Sequence, residues 1–325
     1  MNRFRGLASI LALGALIALP GVAAAQANYP DKDIHVICGY APGSGADIIT
    51  RYFAEKLSKA SGRAVIVDNK EGALTTIAAA GFKGAKPDGY TLMITAGNST
   101  LSSAPHLFKQ INYDPKTDFE PIYGLIKLPF IVGVDPSSPI KTLAELTAAL
   151  KKKGDKASYG YSSAFAQVST ELYQSLAGTN ALGVSYKGTP QIMPDLASGQ
   201  LDFIFSDATF LLAQAEQNRF RPLAVTFAEG TSIAPNIPGM KAAGLDGYHL
   251  QAWWLALAPK GTPAPVMKKL EEWFAQIVND PQTKTDMVRF GAEPYIADAK
   301  TLKALLPEDI DNWGKYAKIA KIEPQ

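Results

Sequence analysis

An apolar run over residues 34–40 passes without a break into the turn Tyr40-Ala41-Pro42-Gly43-Ser44-Gly45-Ala46-Asp47. The turn leads into Ile48, Ile49, Tyr52, Phe53 and Leu57 at helical spacing. A buried strand, a tight small-residue turn and an amphipathic helix in succession leave few choices of fold. Such units close as parallel sheets covered by helices. The turn also carries chemistry. It aims several backbone N–H groups at one spot, where the helix N-terminus adds about half a positive charge. Its natural guest is a carboxylate or a phosphate; the alternative is a tight turn with no guest. Gly43 and Gly45 let a guest approach the backbone, Ser44 offers a hydroxyl, and Tyr40, Ala46 and Asp47 complete this part of the candidate site.

The unit recurs along the chain. Residues 64–68 read as a strand, 77–84 as an Ala-rich helix, and Pro87-Asp88-Gly89-Tyr90 as a turn. A strand over 91–96 ends in a second polar loop, Gly97-Asn98-Ser99-Thr100. Residues 118–126 and 130–134 are extended and apolar, Asp135-Pro136-Ser137-Ser138-Pro139 breaks the chain, and Thr142-Leu143-Ala144-Glu145 is a capping box. The same logic then starts again. Strands over 158–161, 182–186 and 203–205 end in Ser162-Ser163-Ala164-Phe165-Ala166, Lys187-Gly188-Thr189-Pro190 and Ser206-Asp207-Ala208-Thr209, and 222–226 is one more strand. The apolar run 253–258 reads as a return strand, followed by helices from Pro263, over 281–290 and over 299–320.

The expectation is an α/β chain of two lobes, each a mostly parallel sheet flanked by helices, joined by two hinge strands near 128–134 and 250–255. The first lobe takes 28–127 and 251–325, the second 128–250. Residues 1–27 stand apart: Arg3 and Arg5, the apolar run 7–19 and Ala23-Ala24-Ala25 make a secretory signal peptide. That run is too short to cross a bilayer as a helix. A single cysteine, Cys38, forbids an internal disulfide, and an exported chain without one fits a bacterial periplasm.

Composition removes several function classes. Without Arg3 and Arg5 the formal charge falls from +2 to zero, and no basic stripe is present for nucleic acid. The pair Gly43-x-Gly45 is followed by Ile48 where a dinucleotide fingerprint needs Gly. No metal-ligand spacing is present, and no cofactor is expected.

In open parallel sheets, ligands bind beyond the carboxyl ends of the strands. Five such ends carry short polar residues: 40–47, 97–100, 162–166, 186–190 and 207–209. Across a cleft they would hold a small carboxylate through N–H and hydroxyl donors. Beyond the first turn, the residues expected to contribute are Asn98, Ser99, Ser162, Ser163, Lys187, Gly188, Thr189 and Asp207. Lys187 is the only basic side chain in these loops. Asp207 would accept a hydrogen bond or orient a loop, since direct contact with a carboxylate would repel. Phe165, Tyr40 and Phe210 stand beside the donors, so an aromatic acid is expected to bind better than succinate. An enzyme reading competes: Gly160-Tyr161-Ser162-Ser163-Ala164 is close to a nucleophile elbow, and Asp207 and His249 follow in hydrolase order. The elbow, however, calls for Gly where Ala164 stands.

The run from Tyr40 to Ile49, Pro87-Asp88-Gly89-Tyr90-Thr91-Leu92, Tyr186-Lys187-Gly188 and Gly199-Gln200-Leu201-Asp202 together resemble the Bug family, the substrate-binding proteins of tripartite tricarboxylate transporters. The similarity runs in order over essentially the whole mature chain. It implies a two-lobed periplasmic binding protein fold that grips a small carboxylate and delivers it to a membrane permease. A sensor protein is the alternative partner. The family's first turn usually reads Pro-Gly-Gly-Gly-Thr-Asp; here Ser44 and Ala46 replace Gly and Thr, while Asp47 remains.

Overall fold

The computed structural model describes residues 29–186, 189–248 and 250–324. The signal peptide assigned to 1–27 lies outside the described residues, as do Lys187, Gly188 and His249.

The first lobe opens on β1 (Ile34–Cys38), with Ile34, Val36 and Cys38 buried in alternation. The turn follows, then α1 (Gly45–Ser61). Ser44 caps this helix by accepting from the Asp47 N–H at 3.2 Å, and Gly62, at φ 70°, ends it with its N–H on the Ser58 carbonyl. Ile49, Phe53 and Leu57 form its buried stripe. β2 (Val65–Asn69) and β3 (Thr91–Ala96) run parallel to β1, with α2 (Thr76–Lys83) crossing between them. The 87–90 turn requires its glycine. Gly89 sits at φ 84°, and a Cβ there would lie 2.3 Å from Val266.

Where a polar loop was expected after β3, the chain instead winds into a π-helical turn, Asn98–Ser103, and then α3 (Ala104–Leu107). Its polar side chains face inward because other elements bond them. The buried Asn98 Oδ1 accepts from the Trp253 N–H at 3.3 Å, and Thr100 Oγ1 bonds both Thr75 and Thr95 at 2.6 Å.

β4 (Phe119–Leu128) leaves this lobe, and after Pro129 the chain becomes β5 (Phe130–Val134) of the second. There follow α4 (Leu143–Lys153), β6 (Ser158–Tyr161), α5 (Ala164–Ala177), β7 (Leu182–Ser185) and α6 (Met193–Ala197). β8 (Phe203–Asp207), α7 (Ala208–Glu216) and β9 (Arg221–Val225) complete the second lobe. The expected capping box is present at α4, where Thr142 Oγ1 accepts from the Glu145 N–H at 3.1 Å. The chain returns through β10 (Ala252–Pro259), α8 (Ala264–Asn279), α9 (Pro281–Arg289), β11 (Glu293–Pro294) and α10 (Ala299–Ile319).

The two sheets have strand orders β11-β4-β10-β3-β1-β2 and β7-β6-β8-β5-β9. They are mixed rather than mostly parallel, and the hinge explains why. A strand crossing between lobes enters its new sheet by its N-terminus at the cleft, opposite to strands whose C-termini end there. Thus β10 is antiparallel to β3 and β4, and β5 is antiparallel to β8 and β9. Backbone bonds pin the first crossing to the second lobe: Thr226 N–H to Phe130 O at 2.9 Å and Ala208 N–H to Pro129 O at 3.0 Å.

Apolar clusters cover both faces of each sheet, one holding Phe53, Ile94 and Leu270, another Met93, Leu257 and Leu306. The second lobe packs Tyr159, Phe203 and Trp313 on one face and Ile131, Ile204 and Leu211 on the other. Because α10 supplies Leu306 to one lobe and Trp313 to the other, it bridges the two.

Candidate functional site

The strands β1, β6 and β8 end at the gap between lobes, and α1, α5 and α7 begin there. They enclose a cavity of about 640 Å³. Gly45 and Ala46 of α1 line it, with Ser162 and Ser163 before α5, Thr189 and Pro190, and Ser206, Asp207 and Thr209 at the start of α7. The remaining wall is apolar: Ile48 and Ile49 of α1, Leu128, Phe130, Phe210, Ala213, Trp254 and Phe290. Asp207 is the only acidic or basic side chain among the described lining residues.

Of the residues singled out from sequence, the cavity gathers Gly45, Ala46, Ser162, Ser163, Thr189 and Asp207. Gly43, Ser44 and Asp47 hold the turn behind it. The buried Asp47 accepts from the Gly43 N–H at 2.8 Å, Asn69 Nδ2 at 2.8 Å and Arg51 Nε at 2.9 Å. Burial alone would raise its carboxyl, but these donors, Arg51 first, outweigh it and lower the pKa to about 2. Ser44 Oγ donates to the Ala41 carbonyl at 2.7 Å while accepting from Asp47, so its hydroxyl is spent within the turn.

Tyr40 and Phe165 sit one layer back. Tyr40 stacks on Trp254 with ring centroids 5.4 Å apart, and Phe165 packs 4.4 Å from Phe130. Each braces an aromatic ring that faces the cavity. Burial pushes the Tyr40 hydroxyl up to about 12, against the opposing pull of the nearby Thr95 and Ser99 side chains. Asn98 is absorbed by the π-helical turn, and Ser99 uses its carbonyl to accept from Ser103 Oγ at 3.0 Å. Neither lines the cavity.

Two groups of polar atoms face the cavity. The first is backbone. The N–H groups of Gly45 and Ala46 at α1, both of which line it, have no hydrogen-bond partner among the described residues; those of Ala164 and Phe165 at α5 are likewise unpaired and follow directly on the lining Ser162 and Ser163. The second is a chain of side chains. Ser162 Oγ lies 2.9 Å from Thr189 Oγ1, which lies 3.0 Å from Ser206 Oγ, which donates to Asp207 Oδ2 at 3.3 Å. Asp207 Oδ1 caps α7 by accepting from the Phe210 N–H at 2.9 Å. Burial raises the Asp207 carboxyl despite these donors, which pull the other way.

The hydrolase triad is not assembled among the described residues: Ser162 bonds Thr189, and His249 lies outside them. The described histidines are committed elsewhere, His35 to Asp68 at 2.8 Å and His106 to the Ile310 carbonyl at 2.8 Å. Sequence reasoning missed the floor and lid of the cavity. Trp254 carried a signal, as an aromatic on the expected return strand. Phe290, at the end of α9, carried none.

The description "Tripartite tricarboxylate transporter family receptor" matches residues 49–322. A UPF0065 protein of Bordetella bronchiseptica is 32% identical over 98% of this chain and 95% of its own length. Among solved structures, R. palustris Rpa4515 with adipate is 27% identical at a TM-score of 0.80, covering 92% of this chain and all of that one. The periplasmic binding protein BugD is 30% identical at a TM-score of 0.76, over 91% of this chain and 100% of BugD.

Proposed function

This chain belongs to the tripartite tricarboxylate transporter receptor family, and from that premise we propose that it is a periplasmic solute receptor that captures a small organic carboxylate between its lobes and delivers it to a membrane permease. One observation carries the reading: the unpaired N–H groups of Gly45 and Ala46 at the N-terminus of α1 line an interlobe cavity, opposite the hydroxyls of Ser162, Thr189 and Ser206. A helix N-terminus with open donors supplies an anion site, and no cation lines the cavity among the described residues. Preorganised N–H groups bonded to an ionised carboxylate give the stronger class of hydrogen bond. Trp254, Phe130, Phe210 and Phe290 receive the carbon body of the ligand. The structure of a relative with adipate supports the same ligand class.

Capture proceeds by hinge closure, with the crossings at Pro129, between β4 and β5, and at Gln251, before β10, as pivots. The receptor binds without turning its ligand over, so purified protein is expected to show no ester hydrolysis. Among the described residues no helix is long and apolar enough to cross a membrane. The export signal in 1–27 is the basis for placing the chain in the periplasm, and blocking cleavage there would retain it at the membrane.

The test is a melting-temperature panel on the mature protein with dicarboxylates, tricarboxylates, amino acids and aromatic acids. A ligand at 100 times its Kd adds about 2.7 kcal/mol of stability. A shift confined to one class of acid supports the proposal. A flat panel on protein refolded from denaturant, and therefore free of carried-over ligand, overturns it.

A further inference from the structure

The directions of the hydroxyl protons in the cavity wall follow from the bonds. Ser206 spends its only hydroxyl proton on Asp207. Ser206 Oγ must therefore accept from Thr189, whose own proton is then spent, and Thr189 must accept from Ser162. Every proton in the chain points toward Asp207. Ser162 Oγ is left facing the cavity with lone pairs only. The row Ser162–Thr189–Ser206–Asp207 is thus an acceptor surface on the second lobe, in contrast to the donor surface of the α1 N-terminus on the first. A ligand with a carboxylate at both ends finds donors at one end and repulsion at the other.

Asp207 makes the mismatch sharper. It is a half-buried carboxylate that lines the cavity with no cation among the described lining residues. A partly desolvated charge with no cation among the described lining residues is costly, and a ligand cation would offset the cost.

We propose that the acid captured here also carries an ammonium group, which docks on the acceptor wall of Ser162, Thr189, Ser206 and Asp207 while its carboxylate meets the N-terminus of α1. The ligand class is a zwitterionic amino acid with an apolar carbon body. This rests on the carboxylate reading above and narrows it.

The probes are matched pairs that differ only in one end group: 6-aminohexanoate with adipate and 4-aminobutanoate with succinate, titrated calorimetrically into the mature protein at neutral pH. The amino member of the better-binding pair is expected to bind roughly tenfold or more tighter than the diacid. Asp207→Asn keeps the α7 cap, because the amide oxygen still accepts from Phe210. Its amide nitrogen now donates to Ser206, so the chain reverses and Ser162 presents a proton to the cavity. In this variant the preference is expected to fall away or invert. Ser162→Ala leaves the cap untouched and is expected to weaken the amino member several-fold while sparing the diacid.

A wild-type preference for the diacid, or a preference that neither substitution alters, overturns the ammonium assignment and leaves the carboxylate reading standing. If no member of either pair binds, nor any acid of the melting panel, both fail together.

Discussion

Asp47 is the residue whose role the structure changes most, and Asp47→Asn tests the new role. In sequence it is a ligand candidate; in the structure it staples the turn that aims the α1 N–H groups. Its Oδ2 accepts from both the Gly43 N–H and Arg51 Nε, and its Oδ1 accepts from Asn69. An asparagine keeps one acceptor and sets an NH₂ against two donors. Losing two charge-assisted hydrogen bonds would cost about 3–6 kcal/mol if both donors were dry. Arg51 is half exposed and recovers water, which brings the expected loss to about 2–4 kcal/mol. For a chain of this size that is a fall in Tm of roughly 5–10 °C. The pH dependence has a defined sign. The folded-state pKa of Asp47 is depressed to about 2 from an ordinary carboxylate value of 3.8. Its stabilisation is therefore complete above the unfolded value and is lost as pH falls from there through about 2. The assay is thermal unfolding of apo protein at pH 7 and at steps down to pH 2. The variant is expected to melt lower at pH 7 and to converge on wild type in acid. An unchanged Tm at pH 7 together with weakened ligand binding would refute the staple and restore Asp47 as a ligand contact.

Three further substitutions probe the cavity. Trp254→Leu keeps the floor apolar but removes the ring stacked on Tyr40, and is expected to weaken ligand binding about 2- to 10-fold by calorimetry. Ser163→Ala removes the α5 cap, which accepts from the Ala166 N–H at 3.1 Å; unfolding should show a loss of about 1 kcal/mol, and titration a weaker affinity for acids. Gly291 lies at φ 68°, and a Cβ there would come within 2.9 Å of Thr209 N, across the lobe interface. Gly291→Ala is therefore expected to resist closure, raising Kd and leaving a larger radius of gyration in saturating ligand by small-angle scattering.

The strand–turn–helix units were legible because each is local: Ile49, Phe53 and Leu57 declare the buried stripe of α1, and Gly89 and Thr142 mark their own turn and cap. The mixed sheets were not, since strand direction depends on which way the hinge is crossed, and no local pattern records that. The loop 97–100 shows the limit of polarity as a signal. A buried Asn98 that accepts from Trp253, far along the chain, has the same local composition as an exposed binding loop. Half of the Asp47 staple could be read at once, as Asp47 and Arg51 stand four apart on a helix, but Asn69 arrives on another strand. Tyr40 and Phe165 were placed near the ligand and stand behind it, because an aromatic at a strand end gives no sign of which layer it fills. The polarity of the hydroxyl chain emerges only when Ser162, Thr189 and Ser206 are seen in line with Asp207.

The central claim is that a ligand carboxylate is held by the N-terminus of α1 inside the interlobe cavity. The most direct measurement is a calorimetric titration of the mature protein with the best acid of the melting panel and with the methyl ester of that same acid. The account predicts saturable binding of the acid and a loss of roughly tenfold or more in affinity for the ester, which keeps the carbon body and removes the charge. Equal binding of acid and ester would contradict it.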